Sequence, residues 1–351
     1  MYKSIRPGKF WYDNEGKLIQ AHAPTIVYCN GKFWWCGENK ENITGLARGE
    51  FCNKRHHGVK LYSSDDLYNW TDEGFLASES EDATHPLFPE NIVDRPHILY
   101  NRKTENYVMW LKTGKKLDFE KCTFTIYVGK DLKTMRFLKE ITAMPHNAGD
   151  FDLFETDGKA YIVFENPHKE MILRELDEEY TGLGEKWSSH LQLGTPPFIR
   201  EAPCFFERGG RKYLLTSGTT SYFPNPTICY DITDLHGEWK DLGLTCVNDK
   251  NKNSFRAQYA SVFRHPLKKD LYIALGDRWL TDCTEDMVDM EQVFLSWFKE
   301  GEGLPLPREE RWLMSELDVS LATYVWLPIS FKADGTPYIE WKREWKTENF
   351  E

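Results

Sequence analysis

The chain has 351 residues, a formal net charge of −11 and an isoelectric point near 5.5. That balance argues against nucleic acid as a partner, because phosphate binding needs clustered Lys and Arg. Aromatic residues make up 15% of the chain, including 13 Trp; they favour strands, and their rings suit sugar faces as well as cores.

No apolar run is long enough to span a bilayer, so no membrane is expected. Met1–Pro7 carries no apolar stretch that would serve as a secretion signal, which points to the cytoplasm. The eight cysteines (Cys29, Cys36, Cys52, Cys122, Cys204, Cys229, Cys246 and Cys283) show no zinc-ligand spacing and read as buried free thiols.

In chain order, Lys9–Gln20 is a polar approach with a turn at Asp13–Gly16. Thr25–Tyr28, the turn Asn30-Gly31 and Phe33–Cys36 form a hairpin, with Val59–Ser63 as a third strand and Ser64–Trp70 completing the unit. A second unit opens at Asp94-Arg95-Pro96, returns through Tyr107–Trp110, and continues in Phe124–Val128 and Met135–Phe137. The third opens at Asp150, turns at Asp157-Gly158, and returns through Ala160–Phe164 to Met171–Leu176. The fourth opens at Glu201 before Pro203, turns at Gly209-Gly210 and returns through Tyr213–Leu215, with outer strands at Thr227–Tyr230 and Trp239–Asp241. The fifth opens at Gln258 and continues through Leu271–Asp277 and Thr323–Ile329.

Units opening near 24, 95, 150, 201 and 258 predict an all-β chain: one five-bladed propeller spanning residues 1–351. A β-sandwich shares the short strands but lacks the recurring inner strand, tight turn and long aromatic strand. Met287–Glu300 reads as a short helix inserted into the last blade. Trp341 and Trp345 are expected to pair with the N-terminal segment and close the ring.

Several motifs occur together and in order: Gln20-Ala21-His22-Ala23, Trp34–Glu38, Tyr62–Trp70, Asp94-Arg95-Pro96, Asp157–Tyr161, Arg200–Pro203 and Gly276–Trp279. Over residues 9 to 345 the chain resembles glycoside hydrolase family 43, most closely its exo-β-1,3-galactanase branch. The resemblance implies a five-bladed propeller that removes terminal galactose, with inversion, from a β-1,3-linked oligosaccharide or polysaccharide. An α-L-arabinofuranosidase or β-xylosidase of the same family is the alternative activity. The chemistry calls for no metal or other cofactor.

Inverting hydrolysis uses one carboxylic acid to protonate the leaving oxygen and a base across the sugar to activate water. By resemblance, Glu201 is the general acid and Asp150 tunes and orients it. Most of the family carries an Asp base in a His-Asp-Pro pattern, where this chain has His22-Ala23-Pro24. In the galactanase branch an acid before Arg-Pro and a Gln in blade five are implicated instead; here these are Asp94 and Gln258, the branch usually having Glu at the former. Ala23 also motivates a second class of reading, a sugar-binding propeller without turnover. Glu38, Arg95, His22, Trp34, Trp35 and Trp110 are the sugar-binding candidates.

Structural readings stand beside these. Glu201 and Asp94 each neighbour an arginine suited to an ion pair. Asp152 alternates with Asp150, Gln258 suits buried backbone groups, and strand tryptophans and a pore histidine are common core residues.

Overall fold

The computed structural model describes residues 1–43, 54–115, 121–192, 194–281, 289–304 and 319–351. The first blade is β1 (His22–Cys29), β2 (Lys32–Glu38), β3 (Gly58–Ser64) and β4 (Thr71–Ser78). The second is β5 (Ile92–Asn101), β6 (Asn106–Gly114), β7 (Thr123–Gly129) and β8 (Arg136–Ile141). The third is β9 (Phe151–Thr156), β10 (Lys159–Asn166), β11 (Glu170–Leu176) and β12 (Leu183–His190), and the fourth is β13 (Arg200–Arg208), β14 (Arg211–Gly218), β15 (Ile228–Asp231) and β16 (Lys240–Leu244). The fifth holds β18 (Gln258–Arg264), β19 (Tyr272–Arg278), β20 (Thr323–Phe331) and β21 (Pro337–Glu340), with the short β17 (Cys246–Val247) parallel to β21.

Within each blade successive strands run antiparallel. The innermost strands touch in a closed cycle, β1 to β5, β9, β13, β18 and back to β1. This is the five-bladed propeller that the spacing of the units predicts.

The hairpin turns follow the sequence. Asn30-Gly31, Asp157-Gly158 and Gly209-Gly210 all have positive φ at both central residues, the backbone of the turn that matches strand twist. The inner strands lose polar alternation because blades stack on both their faces: β10 is buried at every residue after its first. Exposure to solvent rises in outer strands such as β8 and β16, which have no buried residue.

Each seam between blades has its own core. The largest, between blades one and five, packs Trp11, Trp70 and Trp326 around Trp35 in tilted and edge-on contacts. Each such ring removes roughly 150–250 Å² from water.

Two expectations are corrected, and the inserted helix is present as expected. Ser64–Trp70, expected to complete the first unit, does not: β3 ends at Ser64 and a turn follows, in which Ser64 Oγ and Asp66 Oδ1 accept the amides of Leu67, Tyr68 and Asn69; such local side-chain bonds compete with a ladder, and β4 completes the blade instead. The inserted helix is α1 (Met290–Phe298), capped by Asp289, while Met287 and Val288 lie outside the described residues. Trp345 pairs with Ile5 across the closing seam, but Trp341 packs on Phe255 under the Arg278 guanidinium.

Candidate active site

One backbone rule positions the pore rim. A rim residue at or near the start of an innermost strand lies across from a residue of the second strand: His22 from Glu38, Asp94 from Lys112, Glu201 from Ser217 and Gln258 from Asp277. In the third blade Asp150 meets Glu165, whose amide donates to the Asp150 carbonyl at 2.8 Å. Gly149 permits this approach, since a β-carbon there would lie 2.4 Å from the Glu165 carbonyl oxygen.

In blades one, two and four the next residue, Ala23, Arg95 or Ala202, has φ near +50° and precedes a proline. Each sits at a break in strand register. Such bulges re-aim side chains, and a left-handed non-glycine residue costs about 1–3 kcal/mol that the surrounding fold must hold in place.

These residues line a pocket of about 430 Å³ that takes in Glu38, Asp94, Arg95, Lys112, Asp150, Glu165, Glu201 and Gln258. Arg95 is its hub. Its Nε lies 2.8 Å from Asp150 Oδ2, its Nη2 donates to Gln258 Oε1 at 2.9 Å, and its backbone amide donates to Glu38 Oε1 at 2.7 Å. The Gln258 amide nitrogen donates to Glu201 Oε1 at 2.8 Å and to Ser217 Oγ at 3.0 Å. Lys112 Nζ bridges Asp150 (2.9 Å) and Asp94 (3.4 Å), and Lys40 Nζ bridges Glu38 (3.0 Å) and Asp94 (3.5 Å).

Five carboxyl groups thus face four cations, Arg95, Lys112, Lys40 and Arg55, and the charge cannot balance with all five ionised. Burial, then the negative charges of Asp150 and Glu165, hold the Glu201 carboxyl well above the usual carboxylate range. Burial pushes Glu165 up to about 7, reinforced by Asp150; Glu38 is also pushed up to about 7 by burial, against the pull of Lys40. For Asp150 burial opposes ionisation, but Arg95 and Lys112 outweigh it and keep its carboxyl low. Asp94 follows the same logic, with Lys112, Lys40 and Arg55 prevailing over burial. One pocket therefore holds carboxyls pushed in opposite directions, an arrangement that can serve acid–base cleavage.

Other expected residues lie elsewhere. Trp35 and Trp110 are fully buried core rings whose Nε1 atoms donate to the carbonyls of Ala21 and Tyr180. Trp34 packs on the seam between blades one and two, beneath Lys133. None of the three lines the pocket; all three are strand aromatics, and strand aromatics here fill seams. His22 is buried behind Ala23, pairs with Asp277 at 3.1 Å, and stacks on Tyr324.

The aromatic wall comes instead from Tyr222, Trp279, Phe294, Trp297 and Phe298. Trp279 ends the Gly276–Trp279 motif, a signal within reach of the sequence. Lys112 and Glu165 needed strand register to be found.

Among the described residues no helix is long and apolar enough to cross a membrane, and no group of three or more His, Cys, Asp or Glu side chains is placed to hold a metal ion.

The model of "Glycosyl hydrolases family 43" matches residues 40–278, well over half of the chain. No curated protein matches it by sequence. Among solved structures, one described as a GH43 β-1,3-galactosidase is similar over 100% of this chain and 65% of its own, at 25% identity and a TM-score of 0.80. This chain therefore spans just under two thirds of that relative's length. A second β-1,3-galactosidase of that description, solved with galactodeoxynojirimycin, is covered over 100% of its length by 97% of this chain, at 24% identity and a TM-score of 0.79. An exo-β-1,3-galactanase from Phanerochaete chrysosporium, bound to β-1,3-galactotriose, is 21% identical with a TM-score of 0.76 over 99% of this chain and 68% of its own.

Proposed function

The chain belongs to glycosyl hydrolase family 43 and is a glycoside hydrolase, and from that premise we propose that it releases terminal galactose from β-1,3-linked galactan with inversion. The observation that carries this reading is the meeting in one pocket of Glu201, whose carboxyl is held well above the usual range, and Asp94, whose carboxyl is held below it between Lys40 and Lys112.

Glu201 gives its proton to the glycosidic oxygen as the bond to the anomeric carbon breaks. Burial, and then the charges of Asp150 and Glu165, keep that proton in place. Asp94 takes a proton from the water that attacks from the opposite face; a quarter of its side chain is exposed, while its oxygens are steadied by Lys40 and Lys112. Gln258 is the weaker base, because a neutral amide accepts a proton only through its rarer imidic form and its oxygen already accepts from Arg95. Its role in this scheme is to orient Glu201 and hold the water.

The test is incubation with β-1,3-galactobiose, followed from the first turnover by proton NMR. Initial release of α-galactose supports the proposal. Turnover confined to arabinofuranosides or xylosides replaces the substrate. Sugar binding without turnover of any of these would establish a binding propeller, the reading that Ala23 invites.

A further inference from the structure

Glu201 fixes more than the proton source: its neighbours tie it to the inserted helix. Arg200, only 2% exposed, pairs through Nη1 with Glu291 of α1 at 3.2 Å. The rest of its guanidinium donates to Thr216 Oγ1 and to the carbonyls of Thr216 and Pro226, all at 2.9–3.0 Å. The helix also rests directly on β14, where a β-carbon at Gly218 would lie 2.3 Å from Glu291 Oε1. A buried ion pair this fully hydrogen-bonded fixes geometry even where it adds little stability.

Thus anchored, α1 buries Met290, Val293 and Phe294 among Phe223, Trp279 and Val319. Its last turn is left in water: Trp297 is 44% exposed and Phe298 50% exposed, and both form part of the pocket wall. Rings left half in water forgo part of the stabilisation that burial would give them, and two of them side by side on a pocket wall mark a contact surface. Phe294, 4.4 Å from Trp297 between centroids, braces the Trp297 ring.

A general acid must reach the leaving oxygen, so the departing part of the substrate lies on the Glu201 side of the pocket. That is the side on which α1 is docked. We infer that Trp297 and Phe298 form the platform for the leaving-group sugar, a β-linked pyranose, and so select for a carbohydrate aglycone. One face of such a ring presents C–H bonds with slight positive charge, the complement of an aromatic face. The inference rests on the galactosidase reading above and adds to it the residues that choose what the galactose is removed from.

The test compares β-galactosyl fluoride, which carries no sugar beyond the scissile bond, with β-1,3-galactobiose. Trp297→Ala and Phe298→Ala are each expected to lower the ratio of kcat/KM on the disaccharide to that on the fluoride by about tenfold, through KM, with Trp297→Phe restoring most of it. An unchanged ratio in both alanine variants overturns the platform, whatever happens to overall activity. If the wild-type enzyme leaves β-galactosyl fluoride intact, the galactose assignment fails separately, and the ratio is read on the fluoride and disaccharide of the sugar it does release. Both rings are half exposed, so a thermal melt near that of the wild type confirms the variants are folded.

Discussion

Gln258 donates to Glu201 Oε1 across 2.8 Å while its own oxygen accepts from Arg95, so the amide can point only one way. Glu201 is therefore oriented by a residue of another blade, and Arg95 links that residue to Asp150 of a third. Gln258→Ala should cut this chain and lower turnover of β-1,3-galactobiose at least about a hundredfold, the usual scale of a positioned acid–base group. Wild-type turnover by the folded variant would remove Gln258 from the mechanism.

Glu201→Gln should abolish hydrolysis of galactobiose, a loss of about 10²–10⁴-fold, with the fold and sugar binding retained. A dinitrophenyl leaving group needs no proton, so this variant should hydrolyse the activated galactoside far better than the disaccharide. Equal loss on both substrates would argue against the proton-donor role.

Asp94→Ala should likewise lose at least about a hundredfold on galactobiose, having no group left to deprotonate water. Azide then separates the roles. Added to Asp94→Ala with the activated substrate, it should restore turnover and yield galactosyl azide of inverted configuration. Rescue of Gln258→Ala in place of Asp94→Ala would transfer the base to Gln258.

The alkaline limb of the pH–rate profile should report Glu201, whose protonated form is the active one. Glu165→Gln removes one of the charges that raise it, so that limb should move to lower pH. Stability should follow a related course. The Glu165 carboxyl is raised from 4.5 to about 7, so its contribution is complete below pH 4.5 and is lost as the pH climbs through about 7. Asp94 and Asp150 have lowered values, so their contributions are present above 3.8 and are lost as the pH falls further. Thermal melts should therefore peak in the mildly acidic range, and Glu165→Gln should flatten the alkaline decline.

Trp35→Ala should cost about 3–5 kcal/mol of stability, as emptying a packed aromatic site does, while leaving KM of the surviving fold near that of the wild type. A raised KM with unchanged melting would return Trp35 to the sugar.

Blade count and hairpins were legible because period and turn chemistry are local properties. Asn30-Gly31 and Gly209-Gly210 announce left-handed turns before any contact is known. The rim openers Asp94, Asp150, Glu201 and Gln258 were legible through the motifs around them. Their partners were not: pairing Lys112 with Asp94, or Glu165 with Asp150, needs strand register, which one bulged residue shifts. The aromatic wall was misplaced for a related reason. Trp35 and Trp297 are alike in composition, but a blade's second strand is covered on both faces and the end of a one-sided helix is not.

The left-handed residue before proline at 23, 95 and 202 has a further consequence for how this pore can change its chemistry. Backbone shape and bulge decide where the side chain goes, so its identity is free to vary, as Ala23 and Arg95 already illustrate. Aspartate tolerates that conformation better than alanine does. Ala23 is therefore a vacant socket whose occupant is interchangeable: a carboxylate grafted there would enter the pocket on a backbone already bent to receive it. A propeller built in this way exchanges reagents one blade at a time, without refolding its rim.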